Sequence, residues 1–119
     1  MKIYDLNYLK SLSPENPKFM VDVIQLFLKQ VPLFIEELNK HHSNSDWVGL
    51  QYNAHKIGSH FDCLGIQKEY RDIARKIEEY AKLKENFDLI PALLIKLESS
   101  ILQANKELNE ELEMNYNIA

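Results

Sequence analysis

Apolar residues recur at alternating steps of three and four along four separate stretches of this chain, the spacing that gathers them on one face of an α-helix. The first stretch carries Met20, Val23, Ile24, Phe27, Val31, Phe34, Ile35 and Leu38. It opens at Asn16-Pro17, a capping residue followed by proline at the first helical position, where a missing N–H costs nothing. Pro32, inside the stretch, removes one hydrogen bond and predicts a kink. The second stretch starts near Asp46 and carries Trp47, Leu50, Ala54, Ile57, Phe61 and Leu64, with Gly65 placed to end it in a left-handed conformation. The third carries Ile66, Tyr70, Ile73, Ile77 and Tyr80. The fourth follows Asn86 with Phe87, Ile90, Leu94, Leu97, Ile101, Ala104 and Leu108. Pro91 requires that helix to begin just before it, because only first-turn amides need no internal partner. His41-His42-Ser43-Asn44-Ser45 reads as the loop between the first two stretches. A short leading helix from Asp5 to about Leu12 places Leu6 and Leu9 on one side as a lid, and residues from about Glu110 are expected to fray.

Three glycines and four prolines in 119 residues leave few turns to build, and threonine is absent. A sandwich or barrel needs many turns and many β-branched residues, so an all-β fold is excluded. The expectation is all-α: an antiparallel up-and-down four-helix bundle with a short additional N-terminal helix, one domain over residues 1–119. Neither an internal repeat nor a low-complexity tract interrupts it.

Fourteen basic against eighteen acidic residues leave a net charge of −4. Nucleic-acid binding, which calls for a basic excess or stripe, is therefore not expected. A single cysteine forms no internal disulfide and no Cys-x-x-Cys pair. Lys2, Asp5 and Lys10 deprive the start of a signal peptide's apolar centre, and no apolar run approaches the roughly 18 residues of a membrane helix. A cytoplasmic monomer with no membrane partner is the expectation.

Several chemistries lack their residues. The Glu-x-x-His pairs of a di-iron bundle, a His-Glu-x-x-His zinc motif, a glycine-rich phosphate loop and Gly-x-Ser-x-Gly are all missing from the sequence. His60 and Cys63, three apart, could clip a metal, but no third and fourth ligand is evident. Cys63 otherwise reads as a small hydrophobe near the core, and His41-His42 as a solvated loop.

His55 stands apart. At about 100° per residue it points about 130° from the stripe centred between Leu50 and Phe61, so it faces solvent in the middle of a long helix. Val48, Gln51, Tyr52, Ser59 and Asp62 share its face, with Gly58 at the edge. Helical side chains lean toward the N-terminus, so Gly58 and Ser59 are the residues that would cover His55, and neither can. Two readings stand at this point: an ordinary surface histidine with Gly58 permitting close helix packing, or an imidazole that a partner must reach, with Val48 and Tyr52 supplying apolar contact.

The stretch Ala54-His55-Lys56-Ile57-Gly58-Ser59-His60-Phe61-Asp62-Cys63-Leu64-Gly65 resembles the active-site helix of histidine-containing phosphotransfer (HPt) domains, whose pattern is roughly A-H-x-L-K-G-S-x-x-x-L-G. Leu6-Asn7-Tyr8-Leu9 resembles the family's leading helix, Phe27-Leu28 with Pro32 its long first bundle helix, and Asp46-Trp47 the entry to its histidine helix. The likeness runs from about Tyr4 to Leu108. It departs three residues after the histidine, where the family usually has Lys and this chain has Gly58; Lys56 is the nearest basic residue along the helix. The resemblance implies a phosphorelay intermediate of two-component signalling. His55 would accept a phosphoryl group from a receiver domain's aspartyl phosphate and pass it to another receiver. Lys56, Gly58 and Ser59 would border the phosphate, and Val48, Gln51, Tyr52 and Asp62 would meet the partner. That partner is a response-regulator receiver or a hybrid histidine kinase, and it carries the Mg²⁺. The chain itself needs no cofactor or metal and has no ATP site, so it is not expected to be an enzyme. The alternatives are a helical interaction module that docks partners without carrying phosphate, and a metal-binding bundle.

Overall fold

The computed structural model describes residues 1–118, which form five α-helices. They are α1 (Asn7–Leu12), α2 (Pro17–Ser43), α3 (Trp47–Cys63), α4 (Lys68–Leu83) and α5 (Ile90–Tyr116), with a 3₁₀ turn at Phe87–Leu89 leading into α5. No strand occurs among the described residues. The starts follow the local signals. Asn16 caps α2 by accepting from the Phe19 N–H at 3.3 Å, with Pro17 at the first helical position. Asp46 caps α3 by accepting from the Gly49 N–H at 3.0 Å. Pro91 lies in the first turn of α5, and α2 continues on both sides of the exposed Pro32.

α2 packs on α3 and α5, and α4 packs on the same two helices from the other side. Between them lie Phe27, Leu38, Leu50, Ile57, Phe61, Ile77, Leu97 and Ile101, all fully buried. Each such side chain contributes about 1.5–3 kcal/mol by leaving water. Among the described residues, no helix is long and apolar enough to cross a membrane.

Two expectations are corrected. The loop after α2 is shorter than His41 to Ser45, because His41, His42 and Ser43 are helical. Asn44 N–H closes the last turn on Lys40 at 3.1 Å, and His41 Nδ1 meets Asp46 Oδ2 at 2.8 Å, so the histidine serves the entry of α3 rather than solvent. His42 in turn lies edge-on to Trp47. The C-terminal end does not fray from Glu110 either. α5 runs to Tyr116 with Leu112 buried, because the N-terminal segment lies against it. Tyr4 Oη donates to Glu111 at 2.6 Å and the Ile3 N–H to Glu107 at 2.7 Å.

That segment is the lid expected of Leu6 and Leu9, with Ile3 and Tyr4 buried beside them. It is fastened over the α3–α4 turn by the Asp5 N–H donating to the Gly65 carbonyl and the Gln67 N–H to the Ile3 carbonyl, both at 2.9 Å. Gly65 has φ +60°, as its place after α3 predicts, and the Asp5 backbone occupies the space a Cβ would need. At the other end of α3, Trp47 stacks on Phe87 of the 3₁₀ turn, ring centroids 4.2 Å apart and 9° from parallel.

Candidate functional site

The site is built on α3. Leu50, Ala54, Ile57 and Phe61 anchor that helix in the core, which turns His55 outward with its side chain 66% exposed. Its Nδ1 lies 3.0 Å from Oε2 of Glu78 on α4. A carboxylate only accepts, so this contact places the ring proton on Nδ1. The neutral ring then carries its lone pair on Nε2, which makes no hydrogen bond among the described residues. Sequence reading missed Glu78, which is 23 positions away on another helix. The available signal was its place directly after Ile77, at the edge of the apolar stripe of α4.

Two hollows flank the imidazole. One, of about 380 Å³, is lined by Val48, Gln51, Tyr52, His55 and Glu78. Val48 is 73% and Tyr52 65% exposed, so apolar surface stands open beside the ring. The other, of about 430 Å³, lies between α2 and α3 and is lined by Val23, Leu26, Tyr52, His55, Lys56, Ser59, His60 and Cys63. Ser59 is exposed and donates its hydroxyl to the His55 carbonyl at 3.2 Å.

Three expected neighbours face elsewhere. Lys56 turns toward α2, its ammonium 5.8 Å from the centre of the Phe34 ring. Asp62 points to α4, where Arg75 Nη2 reaches both its oxygens at 2.9 and 3.0 Å and Arg71 lies at 3.8 Å. Gly58 is buried against α4, and a Cβ there would meet the Ala74 Cβ at 3.7 Å, an ordinary contact. Gly58→Ala is therefore expected to stabilise the fold by about 0.5–1 kcal/mol, because the added methyl fits and the backbone entropy of a mid-helix glycine is removed. Chemical denaturation of the two proteins checks this; a destabilised variant would mean that α3 and α4 cannot accept a methyl.

His60 and Cys63 do not act together. The His60 ring packs between Phe27 and Phe34, centroids 5.9 and 5.4 Å away. Burial pushes its pKa below the ordinary histidine value, and the Lys56 ammonium adds to this, so it is neutral at pH 7. Cys63 is exposed rather than near the core, since two residues beyond Phe61 a helix has turned about 200°. No three His, Cys, Asp or Glu side chains gather as a metal set among the described residues. Comparison with family models, with curated proteins and with solved structures finds no match for this chain.

Proposed function

We propose that this chain is a phosphorelay intermediate in which His55 carries the phosphoryl group, on a cytoplasmic, monomeric, antiparallel four-helix bundle of the HPt kind. The observation that carries this reading is the state of the imidazole. It is exposed in mid-helix, held through Nδ1 by Glu78, and left with a free Nε2 between two hollows that a partner's surface can enter. In the transfer, the Nε2 lone pair attacks phosphorus of a receiver's aspartyl phosphate. The bond from phosphorus to the aspartyl oxygen breaks, and its electrons return to the receiver's carboxylate. Such a step is loose and in line, so positioning and charge neutralisation supply most of the catalysis. The Mg²⁺ that neutralises the phosphoryl oxygens belongs to the receiver, as do its carboxylate ligands.

A second reading is favoured by one observation. Lys56, the single Lys or Arg among the residues lining the two hollows, has its ammonium over Phe34 rather than toward the imidazole, so the lining of the hollows aims no cation at the phosphoryl group. A module that docks partners without carrying phosphate would need none. The readings separate on incubation with a receiver domain loaded by its hybrid kinase, radiolabelled ATP and Mg²⁺. Acid-labile, alkali-stable label on this chain supports the relay, and receiver binding without label supports the docking module.

Docking is expected over Val48, Gln51, Tyr52, His55 and Ser59. Ser59→Phe sets a ring beside the imidazole without touching the core and should cut transfer at least about tenfold, as loss of close approach does. The helical spectrum and melting temperature should stay nearly unchanged. Unimpaired transfer in that variant would count against this face.

A further inference from the structure

We propose that the hydroxyl of Tyr52 binds the phosphoryl group carried by His55, as the hydrogen-bond donor that this face supplies in place of a cation. This rests on the reading of His55 as phosphoacceptor. Nδ1 is turned to Glu78 on α4, so the far edge of the ring carries Nε2 away from α4. A group bonded there stands where the two hollows meet. Besides His55, Tyr52 alone lines both of them. Tyr52 precedes His55 by three residues, which places the two side by side on α3. Helical side chains lean toward the N-terminus, which brings the imidazole over Tyr52. The tyrosine is exposed, and its hydroxyl, a donor as well as an acceptor, makes no hydrogen bond among the described residues.

The neighbouring donors are committed elsewhere. On α3, Lys56 holds its ammonium over Phe34, His60 packs between two phenylalanine rings, and Ser59 gives its hydroxyl proton to the His55 carbonyl at 3.2 Å. On α4, Arg75 is bonded to Asp62 at 2.9 Å. α2 adds only the apolar Val23 and Leu26, and Gln51 lines only the hollow that holds Glu78. A hydrogen bond from the phenol to an ionised phosphoryl oxygen is stronger than one between neutral groups, and it favours the dianion over the protonated form. When water takes the phosphoryl group, the P–Nε2 bond breaks with its electrons returning to Nε2, and the water's protons leave with the phosphate. In that loose transition state the phosphoryl group is metaphosphate-like and carries less negative charge, so the hydrogen bond holds the loaded state more firmly than the state that decays. Tyr52 thereby lengthens the life of the phosphorylated chain, a role separate from the contact its ring offers a partner. Solvent reaches this face and limits the effect to a severalfold change.

The test uses the full chain, as wild type, Tyr52→Phe and Ser59→Ala, phosphorylated with phosphoramidate, freed of donor and kept without any partner. The ³¹P NMR signal followed is the one that His55→Gln lacks. In Tyr52→Phe the midpoint of its pH titration is expected to rise by about half a unit, the equivalent of about threefold. The phosphoryl group should be lost about threefold faster at pH 7. Phenylalanine keeps the ring that would meet a partner, so a docking role moves neither readout, and melting curves confirm that the variants are folded. Equal midpoints and lifetimes in wild type and Tyr52→Phe would overturn the proposal. So would a change confined to Ser59→Ala, which would make the serine the donor. Identical ³¹P spectra of His55→Gln and wild type would instead remove the phosphoacceptor reading, and this inference with it.

Discussion

On the proposed reading, His55→Gln is expected to leave the chain without acid-labile phosphate after exposure to a loaded receiver, a loss of at least about a hundredfold, since no nucleophile would remain at the position the reaction reaches. The amide of glutamine occupies similar space but has no basic nitrogen lone pair. None of the other histidines stands in the same relation to solvent. His60 lies between two phenylalanine rings, His41 is engaged by Asp46, and His42 lies edge-on to Trp47. His60→Gln should therefore retain labelling. Autoradiography of both variants, with one receiver and after an alkaline wash, decides the assignment. Label persisting on His55→Gln would refute it.

Gly65→Ala lowers stability by about 3–5 kcal/mol, the largest change expected of any single methyl in this molecule. A left-handed φ of +60° costs an L-residue about 1–2 kcal/mol by itself. The Cβ would also fall on the Asp5 backbone, which cannot swing aside as a flexible side chain can. Relief requires lifting the N-terminal segment, with loss of the Asp5–Gly65 hydrogen bond and partial exposure of Ile3, Leu6 and Leu9. Urea denaturation measures the loss; a change below about 1 kcal/mol would show that the segment is not held as described. The contrast with Gly58, where the same methyl is expected to stabilise, separates a glycine required by the backbone from one merely tolerated by it.

These positions also show what a sequence of this kind discloses. Whatever depends on neighbours within a turn or two was legible: the caps at Asn16 and Asp46, the start of α5 before Pro91, the left-handed Gly65, and the outward direction of His55. Distant chain segments decided the rest. The C-terminal turns are held by Tyr4 and Ile3, more than a hundred residues away, and no local periodicity registers such partners. Glu78 was hidden for the same reason. Asp62 and Lys56 lie where helical angles put them, but their long or charged side chains follow the nearest partner, Arg75 for one and the Phe34 ring for the other. Cys63 is a different matter: its small apolar side chain suits a core, but its helical angle turns it outward, and the angle decides.

The stack of Trp47 on Phe87 has a spectroscopic consequence. Trp47 is the sole tryptophan beside six tyrosines, so the indole part of the near-ultraviolet signal comes from one ring stacked on the Phe87 phenyl at the entrance to α3. Val48, the next residue, lines the hollow beside His55. A molecule settling on Val48 is expected to alter the indole signal through the shared backbone of α3. The protein thus carries an unlabelled optical reporter, one residue from the surface where docking is expected.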